Sequence, residues 1–135
     1  MPSDRLTELS EKANCAFLNG NFRKALELYS QAIQIYPGNH VLHSNRSAVF
    51  LHLQRFHESL YDAEQSIQIN PKWAKGYLRK GDALRAAKKF DKSILSYCQG
   101  LALGSAEIFA PLKDSLRCSI IKGAIFFTVF MHSKI

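Results

Sequence analysis

Two basic residues have a spacing that suits anion binding. Lys75 and Arg79 are four residues apart, so on a helix both side chains leave the same face. The planar guanidinium of Arg matches a carboxylate, and the Lys ammonium adds a mobile point charge. The pair is a candidate carboxylate site, against the simpler interpretation that exposed basic residues usually form only a solvated surface.

Other chemistry is poorly represented in the sequence. Cys15, Cys98 and Cys118 show no Cys-x-x-Cys spacing, and the histidines form no paired metal spacing. The glycines fall mainly at turns and close-packing positions, without a phosphate-binding loop, and no nucleophile–base pair is visible. We therefore expect no enzyme activity, no metal and no cofactor.

Composition limits the class of partner. The chain has 135 residues, which suits one domain, and a formal net charge of +7. The charge favours anionic partners, but the basic residues are scattered without an aromatic platform, so nucleic-acid binding is not expected. The odd number of cysteines and the polar start of the chain predict a cytoplasmic protein. We expect a monomer without membrane contact.

A period of 34 residues runs through the chain, beginning with Pro37 and Pro71. The same step relates Phe22, Phe56 and Phe90; Ile35, Ile69 and Leu103; Ala25, Ser59 and Ser93; and Ala16, Phe50 and Leu84. Apolar spacing within each unit predicts two amphipathic helices. Small residues share two further repeat positions, where we expect close helix packing: Ala13, Ser47 and Gly81; Ala32, Ser66 and Gly100.

The period also predicts the domain organisation. Three repeats span about 6–39, 40–73 and 74–107. A helix over about 106–117, with Ile108, Leu112 and Leu116 on one face, would cap the last repeat. The domain would thus cover 1–117 and leave an apolar tail over 118–135.

The chain resembles the tetratricopeptide repeat (TPR) family from about Leu6 to about Leu116. The period of 34 is that of the family, in which each unit is a helix–turn–helix. The first unit matches the family signature at Ala25, Tyr29, Ala32 and Pro37. This resemblance implies an all-α fold: a right-handed superhelix of three units plus a C-terminal capping helix. Its concave face would be lined by the first helix of each unit, where family members usually bind extended peptides.

A narrower resemblance is to the carboxylate-clamp co-chaperone TPR domains, which bind the acidic Glu-Glu-Val-Asp tail of cytosolic heat-shock chaperones. Their pattern is Lys-x-x-x-Asn in the first such helix, Asn in the second and Lys-x-x-x-Arg in the third. The matching residues are Asn14, Asn45, Lys75 and Arg79. The departure is Ser10, where the family has Lys. The resemblance implies that the acidic C-terminal peptide of a chaperone is the partner.

Three more residues sit where they could line the groove beside the clamp: Phe17, Ala48 and His52. Core packing for Phe17 and solvation for His52 are the simpler interpretations. Taken singly, each Asn also suits a structural role; the four matches together favour a clamp. Two alternatives remain open: a general scaffold for a non-chaperone peptide, and the recruiting fragment of a larger enzyme such as a ubiquitin ligase.

The tail changes character after the predicted cap. Gly123 to Met131 is an uninterrupted apolar run of nine residues, shorter than the 17–25 or so that a spanning helix needs. Three interpretations remain: an extension of the cap, an interaction segment, or an alternative terminus of a longer protein. The sequence favours the last.

Overall fold

The computed structural model describes residues 2–133, apart from the side chains of Pro2, Glu107 and Ile108. Over that range the chain forms helices and no strand. The helices are α1 Pro2–Leu18, α2 Phe22–Ile35, α3 His40–His52, α4 Phe56–Ile69, α5 Ala74–Ala86, α6 Phe90–Ala102 and α7 Ala106–Ser133. Helices α1 to α6 form three consecutive pairs, and each pair packs on the next. The predicted all-α class is confirmed.

The turn inside each pair repeats one backbone conformation. Gly20, Gln54 and Lys88 all have positive φ, at 77°, 60° and 62°, and each stands one repeat from the next. Glycine suits this left-handed conformation best, but repeats two and three adopt it with other residues. Asparagine caps start two helices, because the side chain of Asn21 accepts from Lys24 N and that of Asn39 accepts from Val41 N.

Small residues permit the predicted close contact between helices of a pair. Ala13, Ser47 and Gly81 are all buried. A Cβ placed on Gly81 would lie 2.2 Å from the Tyr97 ring, so α5 and α6 approach closely only because this position has no side chain. In the second repeat the Ser47 hydroxyl instead donates to the Ser59 carbonyl at 2.7 Å.

A buried ionic network ties α3 to α4. Asp62 is fully buried and accepts from Arg46 Nε at 2.6 Å and Nη2 at 2.9 Å. His43 places Nδ1 3.3 Å from the same carboxylate and Nε2 2.9 Å from the Pro37 carbonyl. Arg46 also donates to Ser30 Oγ on α2 at 3.2 Å, so the network links the first two repeats as well. His43 is therefore buried, with both ring nitrogens close to polar groups of the fold.

Helix α7 caps the third repeat but does not end where the sequence predicts. It continues without interruption from Ala106 to Ser133, so position 117 is not a helix end. Leu112 is buried against the core of the third repeat, with Leu116 partly buried beside it. The Ile108 side chain, predicted on this face, lies outside the described residues.

The contact between α7 and the repeats extends past the predicted cap. The buried hydroxyls of Ser119 and Ser93 lie 2.7 Å apart. Gly123 packs on Phe90, whose Cβ would be 3.0 Å from an added Cβ, and the Phe90 and Phe126 rings are 5.8 Å apart. Part of the predicted tail is thus an extension of the cap, and the described part of α7 from Phe109 to Ser133 is long and apolar enough to cross a membrane.

Candidate peptide-binding site

The hydroxyl of Tyr29 is the point on which the predicted site converges. Tyr29 lies on α2, with 2% of its surface exposed. Its hydroxyl donates to Asn14 Oδ1, and the Asn45 side chain and the positive charge of Arg79 are both close enough to lower its pKa. Side chains from α1, α3 and α5 therefore lie near one group on α2.

Repeat register explains this convergence. Asn45 and Arg79 occupy the same repeat position, one period apart, so they project from corresponding faces of α3 and α5, which pack together. Asn14 lies three residues, about one helical turn, beyond the corresponding position of α1. The three side chains therefore reach a common centre although 65 residues separate Asn14 from Arg79 along the chain.

Tyr29 acts as a neutral donor at this centre. Burial raises the pKa of its phenol, against opposing effects from the charge of Arg79 and the hydrogen bond with Asn45. The hydroxyl therefore keeps its proton at neutral pH and orients the Asn14 amide, whose oxygen it occupies. The amide nitrogen of Asn14 then points its two N–H donors away from Tyr29.

Arg79 has unused hydrogen-bonding capacity. Its side chain is 22% exposed, and burial is the main cause that lowers its pKa, against the opposing charge of Asp82. Among the described residues, its buried Nε has no hydrogen-bond partner. Its closest ion pair is weak, with Nη1 4.0 Å from Asp82 Oδ2. A buried donor without an acceptor is costly, and the exposed part of the guanidinium is accessible to a carboxylate.

The other residues predicted to form the site lie on the same helix faces. Lys75 is half-buried one turn before Arg79 and already interacts within the fold. Ser10 is half-buried one turn before Asn14, and Ala48 is buried one turn after Asn45. Ser10 brings a hydroxyl but no charge to the position where a cation was expected from the family pattern.

Asp82 is a neighbour of Arg79 that sequence reasoning missed. It occupies the repeat position of Asn14, two periods later, and accepts from the Tyr97 hydroxyl at 2.6 Å as Asn14 accepts from Tyr29. Burial raises the pKa of Asp82, while the Tyr97 hydrogen bond and the charges of Arg85 and Arg79 lower it. The period could have predicted this contact, because it places Tyr97 at the repeat position of Tyr29 and Asp82 at that of Asn14.

Phe17 and His52 meet each other in an aromatic cluster. The Phe22 and His52 rings stack with centroids 4.6 Å apart, and Phe17 meets both rings edge-on at 5.5 Å and 5.2 Å. Because Phe22 begins α2 and His52 ends α3, this cluster lies at the turn end of the helices. Packing between the first two repeats accounts for these contacts, and a groove-lining role remains a prediction.

Among the side chains that the structure describes, no three His, Cys, Asp or Glu residues are grouped so that they could hold a metal ion. The donors at the Tyr29 centre are amides, a hydroxyl and a guanidinium, a combination suited to binding an anion.

Comparison with known proteins agrees with the helix architecture. The tetratricopeptide repeat family model matches residues 8–39. The sequence match and the three helix pairs together identify this chain as a tetratricopeptide repeat protein. TPR domains are protein-interaction modules.

Its relatives include chaperone-organising proteins. The chain is 37% identical over 114 residues to a Dictyostelium discoideum STIP1 homolog, covering 84% of this chain and 20% of that protein. It is 42% identical over 96 residues to the Triticum aestivum Hsp70-Hsp90 organizing protein, covering 71% and 16%. The chain thus spans a fifth or less of the length of these two relatives.

Solved structures give the same fold. The TPR domain of Sgt2 from Aspergillus fumigatus superposes with a TM-score of 0.80 at 26% identity, covering 87% of this chain and 78% of that one. The first TPR of Spaghetti (RPAP3), bound to the HSP90 peptide SRMEEVD, superposes with a TM-score of 0.74 at 26% identity, covering 86% and 94%. The predicted resemblance to chaperone-binding TPR domains is confirmed.

Proposed function

We propose that this chain is a cytoplasmic, non-catalytic adaptor module that binds the acidic C-terminal peptide of a heat-shock chaperone. The observation that carries the proposal is the meeting of Asn14, Asn45 and Arg79 around the Tyr29 hydroxyl. Three donor-bearing side chains that are accessible at one place suit an anion, and capture of a C-terminal carboxylate is a recurring mode of peptide recognition.

The kind of peptide follows from the relatives and from charge. The Spaghetti domain holds SRMEEVD, a peptide with three acidic side chains and a C-terminal carboxylate. In this chain, Asn14 and Asn45 would hold the terminal carboxylate with amide donors, while Lys75 and Arg79 would pair with acidic groups. The exposed part of the Arg79 guanidinium would add a charge-assisted hydrogen bond to such a group.

Ser10 sets the expected strength of binding. A Lys at this position would add one charge-assisted hydrogen bond to the peptide terminus, which is worth roughly 1.5–3 kcal/mol. Its absence lowers affinity by about ten- to a hundredfold. We therefore expect binding of the same specificity as a complete clamp but weaker.

Isothermal titration calorimetry with SRMEEVD tests the proposal. Binding should require the free C-terminus, so an amidated peptide should bind at least tenfold more weakly. A Lys75→Gln, Arg79→Gln double variant should lose binding. The matched control is Lys88→Gln with Lys92→Gln, an exposed pair with the same spacing and the same loss of charge, which should bind as the parent does. Equal binding of both peptides, or equal effects of both variants, would contradict the proposal.

A second candidate is a scaffold for an internal, non-chaperone peptide, and Ser10 is the observation that favours it. The two candidates differ in their response to Ser10→Lys. The chaperone peptide should gain affinity if the groove is a clamp lacking one charge, whereas an unchanged affinity together with tolerance of C-terminal amidation would favour the scaffold.

A further inference from the structure

The C-terminal part of α7 exposes an unusual amount of apolar surface. Eight large apolar side chains between residues 120 and 131 are about half exposed or more: Ile120, Ile121, Ile125, Phe126, Phe127, Val129, Phe130 and Met131. A contiguous apolar surface of this extent is rare on a protein that remains in water, and it marks a binding surface.

The exposed apolar residues cover all sides of the helix. Successive helical residues are rotated by about 100°, so the consecutive trios at 125–127 and 129–131 each point in three directions. A groove on a protein partner would cover one stripe of such a helix. A helix lying in the plane of a membrane surface needs a polar face, which this segment lacks. Apolarity all around a helix fits a hydrocarbon surrounding.

The polar side chains in this segment bond to the backbone of their own helix. Thr128 Oγ1 donates to the Ala124 carbonyl at 2.8 Å, and Ser133 Oγ donates to the Phe130 carbonyl at 2.8 Å. His132 Nδ1 lies 2.8 Å from the Thr128 carbonyl. A hydrocarbon region offers no water to satisfy polar groups, so internal bonding of this kind is what insertion requires.

We propose that α7 beyond its contact with Phe90, residues 127–133, inserts into the hydrocarbon region of a phospholipid bilayer with an anionic surface. These 7 residues extend about 10 Å along the helix axis, which is less than half of a core of about 30 Å. Lys122 is the only Asp, Glu, Lys or Arg in 120–133. It lies at the end of this segment that is nearest to the repeats. A Lys there can reach back to the headgroups along its apolar stem.

Basic residues outnumber acidic ones around the base of this segment. Lys113 and Arg117 are exposed on α7 before the apolar part, and Lys89 and Lys92 are exposed beside Phe90, which packs on α7; Asp91 and Asp114 are exposed among them. Basic residues next to an apolar segment attract anionic headgroups. The Ser93–Ser119 contact holds the base of α7 on the third repeat, so insertion would tether the peptide site to a membrane surface.

Flotation with lipid vesicles tests this proposal. The whole chain should float with vesicles of phosphatidylcholine and phosphatidylserine in equal parts. Phe127→Asn with Val129→Asn should reduce partitioning into the vesicles by about a hundredfold, because two apolar side chains are replaced by polar ones. Both side chains are almost two-thirds exposed, so the substitutions should leave the fold intact. The matched control, Leu18→Asn with Tyr61→Asn, changes exposed apolar residues of the repeats and should float as the parent does. Circular dichroism checks that all variants stay folded.

A charge variant tests the lipid preference. Arg117→Gln with Lys122→Gln should reduce flotation on the anionic vesicles several-fold, and the control Arg23→Gln with Lys72→Gln, two exposed residues of the repeats, should not. No flotation of the parent chain, or equal losses in test and control variants, would overturn the proposal. A parent chain that forms a dimer through α7 and ignores vesicles would overturn it too. The peptide titration is a separate readout, so either proposal can fail alone.

Discussion

Two tyrosines at equivalent repeat positions make a matched test of the site. Tyr29 donates to Asn14, and Tyr97 donates to Asp82. Both rings are almost fully buried, so substitution by Phe removes one hydroxyl and leaves the packing unchanged. The two variants should nevertheless differ, because the acceptors that they leave behind differ in charge and exposure.

The acceptors decide the magnitudes. Asn14 is an exposed, neutral residue, so water can replace the lost donor and Tyr29→Phe should cost only about 0.5–1.5 kcal/mol of unfolding free energy. Asp82 is 14% exposed and loses a 2.6 Å charge-assisted bond, so Tyr97→Phe should cost about 1.5–3 kcal/mol. Peptide affinity should follow the opposite order, because only Tyr29 orients Asn14 and Asn45.

Urea unfolding and fluorescence anisotropy with a labelled SRMEEVD peptide measure the two effects. Tyr29→Phe should weaken peptide binding about fivefold, the equivalent of one net hydrogen bond, and Tyr97→Phe should change it less than about twofold. A Tyr29→Phe variant that binds as the parent does, or a Tyr97→Phe variant that is the weaker binder, would refute the role assigned to Tyr29.

Three further predictions concern other positions. Ser10→Lys should tighten binding of the peptide by about ten- to a hundredfold in calorimetry, and Ser10→Gln is the uncharged control. Gly81→Ala should lower stability by about 1–3 kcal/mol in urea unfolding, because the added Cβ would meet the Tyr97 ring; Gly38→Ala, where no atom lies within 4 Å of the added Cβ, should be nearly neutral. The Asp62 hydrogen bond raises the pKa of His43 above its ordinary 6.5, against the effect of burial. The stability that His43 contributes is therefore complete below pH 6.5 and is lost as the pH rises through the raised value. Between pH 6.5 and the raised pKa, the melting temperature of His43→Gln should decrease less than that of the parent.

The sequence predicts the helix pairs well because the period of 34 residues is matched at many positions of the chain. Phe22, Phe56 and Phe90 fix the start of the second helix in each pair, and the structure begins α2, α4 and α6 at these residues. Small residues such as Gly81 predict close approach for the same reason. Such positions are set by local spacing and volume, which a single sequence contains.

The sequence does not predict which side chains bond each other at the site. Tyr29 matches the family signature, but its hydrogen bond to Asn14 depends on the angle between α1 and α2, which spacing does not give. Asp82 was overlooked because the family pattern assigns no role there.

The prediction ended the last helix too early for a different reason. The prediction treated the change of composition after the predicted cap as a helix boundary. A helix tolerates that change, because the contacts of Ser119 and Gly123 hold it on α6.

Nuclear magnetic resonance of the free and peptide-bound chain tests the central claim most directly. The side-chain amides of Asn14 and Asn45 and the Nε–H of Arg79 should shift together on titration with SRMEEVD, with one common saturation curve and no response to the amidated peptide at the same concentration. Shifts confined to other surfaces, with these three groups unmoved, would contradict the claim that they form one carboxylate receptor.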